Sequence, residues 1–207
     1  NSKLQSFIVA GIFKYHRIRK SFYEQIDRYI CLNDNQIRLL INIGFDPNKI
    51  IKKYNFVPDA EANLKAIKVK ELPERYVVFY GRIGEEKGIK MLMNIWDELK
   101  DIPLVVMGGG PLEVEFKSWA EKQSDVYFLG YTQHDKCLSI VKGGEFVIFP
   151  SIWYEGCSMV EIESESLGKG LIATDLGFSE EAVHNGVNGY KVKLGDERGF
   201  IDIINKL

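Results

Sequence analysis

The sequence predicts an α/β protein built on a doubly wound parallel sheet, with a small partial segment at its amino-terminal end. Two observations predict it. Short apolar runs without alternation recur at 76–80, 103–107, 126–130, 146–150 and 171–174. Strands covered on both faces have this pattern, because neither face meets water. Between the runs lie amphipathic stretches of helical period, so strand, helix and strand follow each other five times. That alternation specifies parallel strands with helices on both faces.

The elements follow in order. Residues 27–32 form a short strand, and Asn33 caps a helix running from Gln36 to Ile43, where Gly44 stops it. Residues 49–70 show no sustained period and are expected to be a linker. Within 88–100, Ile89, Leu92, Met93, Ile95, Trp96 and Leu99 form one buried stripe. Pro111 sits in the first turn of a helix reaching 122, where its missing N–H is harmless. Further helices are expected at 135–141, 158–167 and 179–184 and from Glu197 onward, with an edge strand at 190–192.

Composition narrows the class. Of 207 residues 45% are hydrophobic and 27% charged, which is ordinary globular usage and excludes disordered, collagen-like and coiled-coil chains. With 27 Lys and Arg against 29 Asp and Glu, the net charge of −2 argues against a nucleic-acid partner. Cys31, Cys137 and Cys157 are far apart and form no Cys-x-x-Cys, so neither disulfides nor structural zinc is expected, and a reducing compartment fits. No apolar run reaches the roughly 18 to 20 residues of a membrane span, and no signal peptide is visible. Because the chain starts at Asn1 rather than Met, it is expected to be a piece of something longer. His16, His134 and His184 are isolated and suit surface or packing roles. The cluster Lys14, Arg17, Arg19 and Lys20 suits a solvated face, with contact to anionic lipid as the alternative.

In parallel sheets of this kind, ligands bind at the carboxyl ends of the strands. Three loops there carry candidate chemistry. Gly81 to Gly88 holds Arg82 and Lys87 at a helix start, which suits a di-anion such as pyrophosphate and equally suits a loop of solvated charges. Gly108-Gly109-Gly110-Pro111 allows close backbone approach to a ligand or a tight turn with positive φ. It lacks the glycine spacing and the later acidic residue of a dinucleotide fingerprint, which disfavours a nicotinamide-dependent oxidoreductase. In the third loop, Glu155 precedes a helix that holds Glu163, and Gly156 to Met159 offer free amides at its start. Two carboxylates beside an anion cradle make sense if they accept hydrogen bonds from sugar and ribose hydroxyls. Glu161, Glu163 and Glu165 alternate and so cannot all share one helix side; Glu163 is the one expected to point inward. Cys157 lies in the proposed anion loop, a setting that can lower a thiol pKa, but no base partner is evident and a spectator role is expected.

Taken in order, Gly81-Arg82, Glu86-Lys87-Gly88, Gly108-x-Gly110-Pro111, Phe128-Leu129-Gly130-Tyr131, Pro150-Ser151, Glu155-Gly156, Glu163, Ala173-Thr174-Asp175, Gly177, Glu181 and Gly186-Val187-Asn188-Gly189-Tyr190 resemble the donor-binding domain of glycosyltransferase family 4. These are retaining sugar transferases of the two-domain GT-B architecture. The resemblance covers residues 27–207. It implies a Rossmann-like sheet forming one half of a GT-B fold at 71–207, a linker at 57–70, and at 1–56 a remnant of the amino-terminal acceptor domain with the start of the linker. It departs from the family pattern where Cys157 and Ser158 replace a Phe and a second Gly, where Ser164 replaces an Ala, and where Phe178 replaces a Gly.

The resemblance also implies roles. Arg82 and Lys87 contact the donor diphosphate, Glu163 holds the ribose hydroxyls, and Glu155 faces the transferred sugar. Gly156, Cys157, Ser158 and Met159 approach sugar and phosphate, Gly130 and Tyr131 line the nucleobase, and Gly81 and Gly110 lie near the nucleotide. The implied reaction is hexosyl transfer with retention from a nucleoside-diphosphate sugar, UDP by default, to a glycan, lipid or protein hydroxyl, as in polysaccharide biosynthesis. No cofactor and no metal are expected, in keeping with the lack of an Asp-x-Asp motif. The expected location is the cytoplasm, with peripheral contact of the full-length protein at the inner membrane face left open. A non-catalytic nucleotide-binding or scaffolding module is the alternative.

Overall fold

The apolar runs form strands, and the elements between them form helices. The computed structural model describes residues 3–58, 64–99 and 101–207. It divides into two units, Asn1–Tyr54 and Asn55–Leu207.

The first unit consists of helices α1 (Lys3–Ile18) and α2 (Ser21–Glu24), strand β1 (Tyr29–Cys31), helix α3 (Asp34–Asn42) and strand β2 (Ile50–Lys52). Asn33 caps α3 as expected: its side chain accepts from the Gln36 amide at 2.8 Å, and the Gln36 side chain accepts in return from the Leu32 amide at 2.7 Å. This reciprocal arrangement satisfies two donors at the helix entrance. β1 and β2 pair in parallel, with Tyr29 opposite Ile50 and Cys31 opposite Lys52. The strand at 50–52 falls where no structure was expected, because three residues are too few to show a period. No residue of α1 is buried. Among the described residues no helix is long and apolar enough to cross a membrane.

The linker expected at 57–70 includes 59–63, which lie outside the described residues. Beyond them Leu64, Val69 and Leu72 pack on the core of the second unit, and the Ile67 amide donates to the Ser139 carbonyl at 3.3 Å.

The second unit is a six-stranded parallel sheet of β3 (Val77–Tyr80), β4 (Leu104–Met107), β5 (Val126–Gly130), β6 (Phe146–Phe149), β7 (Gly170–Thr174) and β8 (Gly189–Val192), ordered β5-β4-β3-β6-β7-β8. The connecting helices are α4 (Ile89–Glu98), α5 (Glu113–Ala120), α6 (His134–Gly143), α7 (Met159–Ser166), α8 (Ser179–Ala182) and α9 (Glu197–Ile204). Side chains alternate across the sheet. Val77, Phe79, Leu104 and Val106 meet Leu92, Ile95 and Trp96 of α4, Phe116 of α5 and Phe200 of α9. Val78, Tyr80, Val105, Met107 and Val147 meet Cys137, Leu138, Ile140 and Val141 of α6 and Leu167 just beyond α7. Both faces are covered, which is why these strands lack alternation in the sequence.

The chain runs outward through β3, β4 and β5, then crosses back to β6 beside β3 and continues to β7 and β8. The order reverses between β3 and β6, and a crevice opens at the carboxyl ends of such a pair. The loops leaving these two strands touch at backbone distance. Gly88 has φ +71°, and a Cβ placed there would stand 1.9 Å from the Pro150 carbonyl oxygen. Gly88→Ala is therefore expected to cost at least ~2 kcal/mol, from the left-handed backbone and from pushing the loops apart. Urea unfolding measures it, and a loss under about 0.5 kcal/mol, the scale of an ordinary surface substitution, would contradict the packing.

Candidate active site

The loop after β3 makes a 3-10 turn at Glu85–Lys87 before α4 begins. That turn holds the loop after β6: the Ile152 amide donates to the Glu86 carbonyl at 3.0 Å, and the Ser151 hydroxyl lies 3.1 Å from the same oxygen. Across this junction Lys87 Nζ donates to Glu155 Oε1 at 2.5 Å. Ser151 Oγ lies 3.0 Å from the same carboxylate oxygen, and the ammonium stands 5.7 Å from the centre of the Phe149 ring. The Lys87 and Glu155 side chains are 22% and 15% exposed. A charge-assisted bond so shielded is stronger than a surface pair.

Arg82 takes another direction. Its Nε lies 3.1 Å from Glu86 Oε1 on the same loop, and its side chain is 63% exposed. Glu163 is buried in α7, with His134 Nε2, at the first residue of α6, 3.9 Å from its Oε1. Beneath α7 the Tyr80 hydroxyl donates to the Val160 carbonyl at 2.9 Å and lies 3.2 Å from Ser164 Oγ. Burial, and then the Glu163 charge, push the Tyr80 hydroxyl well above its ordinary range. The same two causes raise the Cys137 thiol to about 12. Both groups remain neutral beside the carboxylate.

The remaining expected positions lie on the same rim of the sheet. Gly81 has φ +136°, and Gly110 abuts the backbone of Ile83, so the loop after β4 rests on the loop after β3. Gly130 ends β5 and is followed by Tyr131, whose side chain stands in solvent. In the loop after β6, Gly156 is half-buried, Cys157 and Ser158 are buried and Met159 is exposed. The Asn55 side chain donates to the Cys157 carbonyl at 2.8 Å. The Cys157 thiol pKa does not fall in this loop: burial first, then Glu161 and Glu181, raise it and outweigh a backbone hydrogen bond from Asn55.

Gly177 completes the enclosure of Glu155. It has φ +64°, and a Cβ there would stand 2.6 Å from the Glu155 amide nitrogen. The next residue's amide, Phe178 N–H, donates to the Glu155 carbonyl at 3.0 Å.

The structure thus joins Lys87 to Glu155 and turns Arg82 to Glu86 and Glu163 to His134. Sequence reasoning missed His134, Ser151, Glu161 and Ser179. His134 follows the loop after β5, so a search of strand ends would have found it. Glu161 corrects the expectation that Glu163 is the one to point inward, because it is buried as fully as Glu163. Their helix lies between α6 and β7, so two of its sides are covered and both carboxyls can leave water. A concavity of about 890 Å³ opens at the amino ends of the strands, beside Arg75, Glu145, Lys169 and Asn188, and shares no residue with these loops.

The chain is 24% identical over 199 residues to an uncharacterized 41.2 kDa protein of the cps region of Klebsiella pneumoniae, covering 92% of this chain and 54% of the relative. It is 27% identical over 160 residues to the alpha-D-kanosaminyltransferase of Streptomyces kanamyceticus, covering 72% and 41%. The chain thus spans about half the length of these relatives or less. In fold it matches HepE of Anabaena, crystallised in complex with UDP, with a TM-score of 0.75, 19% identity and coverage of 87% of this chain and 53% of that one. The sheet is accordingly the Rossmann-like sheet of GT-B glycosyltransferase structures. The family model for glycosyl transferases group 1 matches residues 74–207, the stretch that holds Lys87, Glu155 and Glu163, and the chain belongs to that family.

Proposed function

We propose that this chain is the donor-binding half of a retaining, family 4 glycosyltransferase, which moves a hexosyl group from a nucleoside diphosphate to an acceptor hydroxyl. One observation carries the proposal: the Lys87–Glu155 pair, set across the two loops at the point where the strand order reverses. A shielded lysine there can exchange a carboxylate for a phosphate. As the glycosidic bond breaks, negative charge grows on the leaving diphosphate. Lys87, Arg82 turned from Glu86, and the amides at the start of α7 neutralise it. These groups make a divalent cation unnecessary in the proposed step. Glu163 accepts from the ribose hydroxyls, with His134 beside it; Glu155, once released, faces the transferred sugar.

UDP is the proposed nucleotide. Supporting it, HepE is described in complex with UDP-glucose as well as UDP. Residues 1–56 are proposed as part of the acceptor domain, and the acceptor as a glycan, lipid or protein hydroxyl. Peripheral contact of the full-length protein with an anionic membrane face belongs to the same proposal, since Lys14 and Arg17 border the exposed Phe13 and Ile18 of α1. A non-catalytic nucleotide-binding or scaffolding module is the alternative, favoured by both loop cations already having carboxylate partners.

Isothermal titration with UDP, UDP-glucose and GDP separates a nucleotide-binding chain from a scaffold. UDP is expected to bind, and Lys87→Ala and Glu163→Ala are each expected to weaken it by about 10-fold or more, the scale of a lost bond to a charged group. Absence of binding by all three ligands favours the scaffold. Incubated with UDP-glucose and simple acceptors, the 207-residue chain is expected to bind without turnover. Robust transfer would show that the acceptor side is already complete.

A further inference from the structure

Glu161 has no part in the scheme above, yet it is the most thoroughly enclosed carboxyl near the site, at 2% exposure. The Ser179 hydroxyl donates to its Oε1 at 2.6 Å, while its Oε2 is buried without a hydrogen-bond partner. A buried carboxylate oxygen without a partner is costly, and a proton on the group removes most of that cost.

Its two attachments matter. Glu161 lies in the first turn of α7, directly behind the 155–158 loop, and Ser179 opens α8. The turn entering α8 holds Glu155 from behind, through the Gly177 contact and the Phe178 amide. Glu161 therefore closes a ring that runs from α7 to Ser179, through Gly177 and Phe178 to Glu155, and back along the loop.

We propose that Glu161 is a positioning residue for the Lys87–Glu155 pair: its bond to Ser179 fixes the backbone around Glu155, and the charge state of its carboxyl sets how firmly Lys87 is held and how readily a diphosphate displaces Glu155. The nucleotide part of this proposal rests on the function proposed above. The groups acting on Glu161 come from several elements. Glu155 in its loop opposes its ionisation, while Lys87 on the 3-10 turn and Ser179 on α8 favour it. Cys157 lies close enough for its thiol to be influenced by Glu161 and by Glu181 of α8. On the other side of α7, Glu163 faces His134 of α6 and acts on Tyr80 of β3 and Cys137 of α6. Burial is the largest cause and raises the Glu161 pKa from 4.5 to about 7. The proton therefore exchanges near neutrality. Ionisation adds a negative charge behind Glu155, tightens the grip on Lys87 and opposes an incoming diphosphate.

The sign for stability follows from the same shift. The folded state holds the proton more firmly than the unfolded chain, so this contribution is full below pH 4.5 and is lost as pH rises through about 7. Glu161→Gln keeps the shape and a partner for Ser179 but removes the charge.

The test uses the 207-residue chain labelled with carboxyl-13C glutamate. The Glu161 signal is expected to titrate near pH 7, and the Glu155 signal to show a second step at the same midpoint, absent in Glu161→Gln. Ser179→Ala is expected to move the midpoint upward, since the lost bond favoured the charged form. In parallel, the affinity for UDP from pH 6 to 8 is expected to fall about threefold to tenfold further in the wild type than in Glu161→Gln, a difference that cancels the nucleotide's own titration. A Glu155 step that is missing, or that survives in Glu161→Gln, overturns the proposal. Identical affinity profiles also overturn it. If UDP binds at no pH, the nucleotide reading falls, and the carbon signals still decide the positioning role.

Discussion

The contact between the Lys87 ammonium and the Glu155 carboxylate is the constraint around which the carboxyl rim of the sheet is arranged. Removing two opposite charges from water is expensive, and their attraction offsets that cost only when the geometry is close and other bonds are satisfied. Here Ser151 supplies a further polar partner and the Phe149 ring lies near the cation. The pair also requires the loops after β3 and β6 to meet within one side-chain length. That is why Gly88 abuts Pro150 and Gly177 abuts Glu155, where any Cβ would force the loops apart.

Such a pair suits exchange better than permanence. A carboxylate offers the lysine one negative charge, whereas a diphosphate offers more charge and more acceptor oxygens. Glu155, once displaced, still has Ser151 within reach. Arg82 is in a different state. Its pair with Glu86 is exposed and contributes little, so turning it toward an anion costs little. The strongly held lysine and the loosely held arginine can thus act in sequence, the first setting position and the second adding charge. Glu163 works under a further constraint, because burial, and then Glu163 itself, keep the Tyr80 hydroxyl and the Cys137 thiol beneath it protonated.

Much of this architecture was legible from the residues. The apolar runs gave the sheet because strands buried on both faces lose their alternation, and Asn33 marked a helix entrance because its side chain has one favourable use there. The 50–52 strand was not legible, since its pairing with β1 is a long-range fact that three residues cannot announce. Within the site, Lys87 and Glu155 were legible as loop residues at strand ends, but their contact was not, for they are 68 positions apart. Glu161 was misassigned for a physical reason: alternation along a helix separates faces, and it excludes two buried carboxyls only if one face alone is covered. α7 is covered on two.

The departures from the family pattern at Cys157 and Ser158 can be weighed on the backbone itself. Glycine is required where φ is positive or where another chain segment leaves no room for Cβ. Ser158 has φ −69° and ψ 132°, which any residue adopts, so a side chain there brings no backbone strain. Cys157 is enclosed, and its carbonyl is held by Asn55, so the path of the peptide is set by that bond as well as by the side chain. The replacements therefore impose no new backbone path at the head of α7 and change chiefly what those two side chains touch. In the function proposed above, the backbone that would hold the anion is then kept, and the change falls on the group attached to it.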